Sequence, residues 1–135
     1  MPGIIFLPVG RFDKRSSSEL LYWKQQKRGG EPLHLTSFLQ EKQLTICLTG
    51  EIDHHSAREI MEVLAGKVES YLPAKCVLDF GEVSFMDSSG IAIVLFALRR
   101  MRELDGTLEL RAIRTQPYRV MKASGLDKLI DLQRS

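Results

Sequence analysis

The tetrad Asp87-Ser88-Ser89-Gly90 gathers a carboxylate, two hydroxyls and a glycine between two apolar runs. Asp and Ser are favoured helix caps because their side-chain oxygens accept from backbone N–H groups that a helix start leaves unpaired. Capping alone accounts for these residue types. Three features point past it. One cap suffices, yet three candidates stand in a row. The first turn lacks an acidic residue: three positions on from Asp87 is Gly90, and from Ser88 is Ile91. Gly90 removes a side chain beside the hydroxyls and leaves room for another molecule to approach. An exposed hydroxyl beside unneutralised helix N–H groups can carry a phosphate, adding about two negative charges. A surface fitted to the neutral hydroxyl would then be repelled, the more so if it faced Asp87 and Glu82.

Other chemistries fit less well. A serine hydrolase elbow needs Gly-x-Ser-x-Gly, and Met86 stands at the first glycine position before Ser88, so no enzyme is expected. His54-His55 suggests a metal, but adjacent histidines point apart and no third ligand is near in sequence. No metal or cofactor is expected. The phosphate-cradling Gly-x-x-x-x-Gly-Lys is absent, although a helix start near Asp53 and Ser88 could hold a nucleotide weakly.

Such a hinge needs a strand before it and a helix after it. Val77-Leu78-Asp79-Phe80 lies in a short apolar run, which predicts a strand over 75–80. Residues 91–98 are apolar throughout, which predicts a helix over 88–104 whose start is buried nearly all round, turning amphipathic at Arg99, Arg100, Arg102 and Glu103. Upstream, Leu33, Leu35 and Ser37 alternate with His34, Thr36 and Phe38. After Gln40-Glu41-Lys42, Leu44, Ile46 and Leu48 alternate with Thr45, Cys47 and Thr49, which predicts a hairpin. Residues 50–55 read as a loop, and Ser56-Ala57-Arg58-Glu59 as a capping box opening a helix that Pro73 ends, with Glu59, Glu62, Lys67 and Glu69 mostly outward. A strand over 107–113 follows, with Leu108, Leu110 and Ala112 inward, then a short helix through Pro117 and Met121, a break at Ser124-Gly125, and a final turn or edge strand. Strands alternating with crossover helices imply an α/β fold, a mixed four- to five-stranded sheet covered by helices.

The 135 residues allow one domain, and 44% hydrophobic with 27% charged residues is ordinary for a globular chain. Residues 1–32, rich in Pro, Gly and Ser, read as a mobile leader or a docking segment using Tyr22 and Trp23; the domain spans 33–135. The leader carries net +3 and the remainder −1, so the charge of the domain gives nucleic-acid binding no support. Cys47 and Cys76 sit in apolar runs and read as buried thiols of a reducing, cytoplasmic compartment. No apolar run approaches the roughly 18 residues of a membrane span.

Thr49-Gly50-Glu51-Ile52-Asp53-His54-His55-Ser56-Ala57 and Val83-Ser84-Phe85-Met86-Asp87-Ser88-Ser89-Gly90 together resemble the STAS family, above all the anti-sigma-factor antagonists of sporulating bacteria. Ser124-Gly125-Leu126 resembles the family's short motif before its last strand. The resemblance implies a single STAS-like domain that binds an anti-sigma factor with serine kinase activity and so releases a sigma factor. It implies phosphorylation at Ser88, the serine after the motif Asp87, and its reversal by a serine phosphatase. Asp53 resembles the family residue beside that serine. Expected partner or nucleotide contacts are Glu51, Asp53, His54, Met86, Asp87, Ser89 and Gly90. A STAS module that binds a partner without being phosphorylated is the alternative. Two departures stand out: the family usually carries a further helix after its last strand, and the leader has no counterpart in the sporulation antagonists.

Overall fold

The computed structural model describes residues 35–135. The expectations for residues 1–34, including the Tyr22 and Trp23 segment and the start of the first strand at Leu33 and His34, lie outside the described residues. The elements run β1 (Leu35–Gln40), β2 (Gln43–Ile52), α1 (His54–Tyr71), β3 (Lys75–Met86), α2 (Ser89–Glu103), β4 (Thr107–Ile113), α3 (Thr115–Ala123), a 3-10 turn (Leu126–Lys128) and β5 (Leu132–Arg134). They form the expected α/β fold, with five strands in the order β1-β2-β3-β4-β5. β1 and β2 are the expected antiparallel hairpin, and every later neighbour is parallel.

That order decides where the helices go. The connections β2–α1–β3, β3–α2–β4 and β4–α3–β5 all step the same way across the sheet. Right-handed crossovers taken in one direction place every helix on one face. The core forms there: Leu44, Ile46, Leu48, Leu78, Phe80 and Leu110 from the strands meet Ile60, Leu64, Ile93, Val94, Met101 and Met121 from the helices, all fully buried or nearly so.

Several local readings change. β2 does not end at Thr49 but runs through Gly50 and Glu51 to Ile52, so the expected loop over 50–55 is strand followed by helix. Gly50 sits at φ +83, a left-handed value that glycine adopts without steric cost, beside one of two register shifts between β2 and β3. β3 continues past Phe80 to Met86. Its buried residues there are Phe80, Val83 and Met86, three apart, because each register shift places one extra residue on β3. A period of two could not reveal a strand whose inward side chains come every third residue.

α1 begins at His54, upstream of the expected Ser56, and ends at Leu72, whose φ is +46, just before Pro73. α2 is less enclosed than its composition implies. Ile93, Val94 and Ala97 are buried, but Ala92 and Leu95 face outward. In β4, Ala112 takes φ +59 and turns half outward, so Ile113 rather than Ala112 enters the core. Lys67, expected outward, is half-buried, and burial lowers its amine to about 8. Both cysteines are reduced; Cys76 is buried as expected, whereas Cys47 is only half-buried.

Candidate functional site

Two adjacent parallel strands end together. Ile52 of β2 stands level with Met86 of β3, and the Asp87 N–H closes the pairing by donating to the Ile52 carbonyl at 3.1 Å. Each strand then passes into a helix, so the starts of α1 and α2 lie side by side at the carboxyl edge of the sheet. Helix starts concentrate unpaired N–H groups and the positive end of the helix dipole.

The two starts are capped differently. At α1 the cap is closed. Asp53 Oδ1 accepts from the His55 N–H at 3.1 Å and the Ser56 N–H at 2.9 Å, while the Asp53 N–H donates to Ser56 Oγ at 3.0 Å. The capping box is therefore Asp53 with Ser56, not Ser56 with Glu59. The bond from the Ser56 N–H is the main reason the Asp53 carboxyl lies below its ordinary range. Desolvation, the next largest influence, opposes it, and the Ser56 hydroxyl, the His55 N–H and the charge of His54 lower it further.

At α2 the cap is open. Asp87 Oδ1 accepts from the Ser89 N–H at 2.8 Å, and the Asp87 and Ser88 carbonyls accept from Gly90 and Ile91 at 3.0 Å each. Ser88 occupies the N-cap position at φ −64 and ψ −13, but its side chain makes no capping bond. Ser88 is exposed, and no hydrogen bond among the described residues engages its hydroxyl. The first turn of α2 holds no acidic residue. Of the three expected cap candidates, Asp87 accepts from the Ser89 N–H, Ser89 is half-buried, and Ser88 presents an exposed hydroxyl with no hydrogen bond among the described residues.

Met86 and Gly90 act beneath the surface instead of at it. Both are buried. A Cβ on Gly90 would lie 2.8 Å from Met86 Cγ and against its sulfur. The space left by the missing side chain is filled by Met86, not open to a second molecule, which corrects the expected role of Gly90. Met86 is likewise no contact surface, since its side chain is wholly enclosed. Their part is to seat the hinge.

The exposed residues at the ends of the two strands are Glu51, Asp53, His54 and His55 after β2 and Phe85 before the hinge; Glu82 and Ser84 are exposed further back along β3. Register sets Glu51 level with Phe85. No hydrogen bond or ion pair among the described residues joins Glu51, His54 or His55 to Ser88. No three His, Cys, Asp or Glu residues converge to hold a metal among the described residues. No described helix is long and apolar enough to cross a membrane.

Two site residues escape sequence reasoning. Gln116, in the first turn of α3, clamps the hinge: its Oε1 accepts from the Met86 N–H at 2.8 Å and its Nε2 donates to the Met86 carbonyl at 3.1 Å. β4 pairs with β3 only as far as Asp79 opposite Arg111, so the Gln116 amide takes the place of a neighbouring strand at Met86. Nothing in the local sequence marks it, since the contact spans thirty positions. Phe85, 44% exposed, presents an apolar ring beside the hinge. The adjacent pair Phe85-Met86 was a signal for it, because two neighbouring residues of a strand cannot both face the core.

An open cap bearing a surface serine, at the carboxyl edge of a sheet with all helices on one face, describes a small α/β domain with a polar hinge at its strand ends. Residues 39–135 match the STAS domain family, and the chain belongs to that family. It is 28% identical over 93 residues to an anti-sigma-B factor antagonist of Listeria monocytogenes, covering 67% of this chain and 78% of that protein. It shares its fold with the anti-sigma factor antagonist SpoIIAA in its unphosphorylated form, with a TM-score of 0.61, 23% identity, and 75% of this chain and 88% of that one covered. The phosphorylated form of SpoIIAA from Bacillus superposes with a TM-score of 0.56 at 24% identity, covering 75% and 91%.

Proposed function

We propose that this chain is an anti-sigma factor antagonist switched at Ser88. In the unmodified state the rim of Glu51, Asp53, His54, Asp87 and Ser89, with the exposed ring of Phe85, docks on an anti-sigma factor that is also a serine kinase, and the sigma factor is released. The kinase transfers the γ-phosphoryl group of ATP to Ser88 Oγ, the hydroxyl proton being lost and ADP leaving. A serine phosphatase hydrolyses the ester and restores the hydroxyl. The protein itself catalyses nothing, and the exchange takes place in the cytoplasm without nucleic acid or membrane.

The observation that carries this reading is the asymmetry between two neighbouring helix starts. Asp53 closes one, whereas Ser88 stands exposed and unbonded at the other. A group can be added at Ser88 without breaking a hydrogen bond of the fold. The added charge of about −2 would stand beside Asp87 and near the carboxylates of Glu51 and Asp53, so a docked acidic or apolar surface would be expelled. The name of the Listeria relative and the two solved states of SpoIIAA support the same reading.

The test is incubation with the candidate kinase and ATP, followed by mapping of the modified residue by mass spectrometry. Phosphate on Ser88, with Ser88→Ala retaining the partner and Ser88→Asp losing it, is the expected result. Equal partner binding by the two variants would remove the switch and leave a binding module without phosphorylation.

A further inference from the structure

Helices α1 and α2 start side by side, yet their outer faces differ. The exposed residues of α1 as far as Glu69 are His54, His55, Arg58, Glu62, Gly66 and Glu69, a polar and charged run ordinary for a face in water. On α2 the outward stripe is Ser88, Ala92, Leu95, Arg99, Arg102 and Glu103, spaced by threes and fours and opposite the buried Gly90, Ile93, Val94, Ala97 and Met101. The first half of that stripe bears no charge. Leu95 is 39% exposed, and Leu129, in the turn after the 3-10 segment, is 54% exposed. With Leu98, Arg99, Arg102 and Glu103 they line one open groove of about 440 Å³. Arg99 and Arg102 join no ion pair among the described residues.

Given the function proposed above, we propose that this face of α2 is the second half of the docking surface, and that its groove receives an apolar side chain borne on an acidic segment of the anti-sigma factor. Continuity is the first reason. The stripe starts at Ser88 itself. At a rise of about 1.5 Å per residue, Leu95 lies about 10 Å from it along the helix and Arg102 about 21 Å. A stable interface buries about 800 Å² on each partner, a patch roughly 30 Å across, so one that includes Ser88 has room for the whole groove. Charge is the second reason. Residues 35–88 hold nine Asp or Glu against four Lys or Arg, and residues 89–135 hold five against nine. Because the chain steps one way across the sheet, the two halves are separated in space, and Ser88 stands on their boundary. A partner seated across that boundary matches it with basic groups over Glu51, Asp53 and Asp87 and acidic groups over Arg99 and Arg102. Glu103 is the one acid among the residues lining the groove.

The test measures partner affinity by calorimetry, with the anti-sigma factor kinase of the preceding experiment as probe. The full chain is compared with Leu95→Asp, Leu129→Asp and the pair Arg99→Glu with Arg102→Glu. All four side chains are exposed, and circular dichroism checks that each variant folds; Leu129→Asp, in a turn, stands in should Leu95→Asp not fold. Each variant is expected to bind about tenfold more weakly or worse, and Glu103→Lys to bind more tightly. In the weakened variants KM for phosphorylation of Ser88 should rise while kcat stays within about twofold of native, because the groove holds the kinase without touching the reacting hydroxyl. Native affinity in Leu95→Asp and Leu129→Asp, or tighter binding by the double Glu variant, would overturn the proposal. If Ser88→Asp loses the partner and the groove variants keep it, the switch stands and the docking face falls. If Ser88→Ala and Ser88→Asp bind alike while the groove variants do not bind, the switch falls and the docking face stands. A native chain that binds no such kinase refutes both.

Discussion

Gln116→Ala tests whether the amide clamp, and not strand pairing, holds the hinge. The substitution deletes two hydrogen bonds, from the Met86 N–H at 2.8 Å and to the Met86 carbonyl at 3.1 Å. Each bond contributes about 1 kcal/mol net, and a half-buried backbone group left without a partner adds to the loss, so the cost is about 2–3 kcal/mol. For a domain of this size that lowers the melting temperature by roughly 10 °C or more. Urea unfolding followed by circular dichroism measures it. Gln116→Glu makes the test sharper. Its carboxylate keeps an acceptor for the Met86 N–H but sets a second oxygen against the Met86 carbonyl. At neutral pH it should therefore remain less stable than the native chain. The carboxylate is disfavoured in the fold, so its folded pKa is raised, and the deficit should shrink as pH falls through about 6 to 4 and the acid regains a donor. Because Met86 immediately precedes Asp87 and Ser88, both variants should also slow the proposed phosphorylation of Ser88. A cost for Gln116→Ala below about 0.5 kcal/mol, or a Glu deficit that does not change with pH, would refute the clamp.

Gly90→Ala should destabilise by about 1 kcal/mol or more in urea unfolding, although alanine is the better helix former by a similar amount, because its Cβ would collide with the enclosed Met86; combining it with Met86→Ala should reduce the added cost. Ser88→Ala should leave stability within about 0.5 kcal/mol of the native chain, since its hydroxyl caps nothing. Asp53→Ala should destabilise at neutral pH, where the carboxylate accepts from His55 and Ser56. The folded pKa of Asp53 is depressed, so its contribution is fully present above the ordinary carboxylate value of about 3.9 and lost as pH falls through the folded value. The two stability curves should converge in acid, and a gap that persists at low pH would show that the cap works without its charge.

Much of this protein is legible in its residues taken in order. The alternation of Leu44, Ile46 and Leu48 marks the second hairpin strand because the side-chain period of a strand is two, and these residues are indeed at the core face. Apolar spacing through Ile60, Leu64 and Val68 marks α1. The tetrad at 87–90 marks a helix start, and the paired motifs mark the family. All of these are local signals, carried within a dozen residues.

Other features depend on which strands become neighbours. The two register shifts that carry β3 on to Met86 exist only against β2, so the strand's second half has no period of its own. Gly90 suits a hinge by inspection, yet its reason is the Met86 side chain folded beneath it. Which of the two serines stands exposed was settled by the backbone at 87–91, where Asp87 turned to the Ser89 N–H and left Ser88 outward. Gln116 reaches Met86 only because β4 parts from β3 and α3 begins beside the gap. Propensity and pattern act between near neighbours and so can be read directly from the chain. The closure of hydrogen bonds across thirty residues is decided by packing, and only the folded structure displays it.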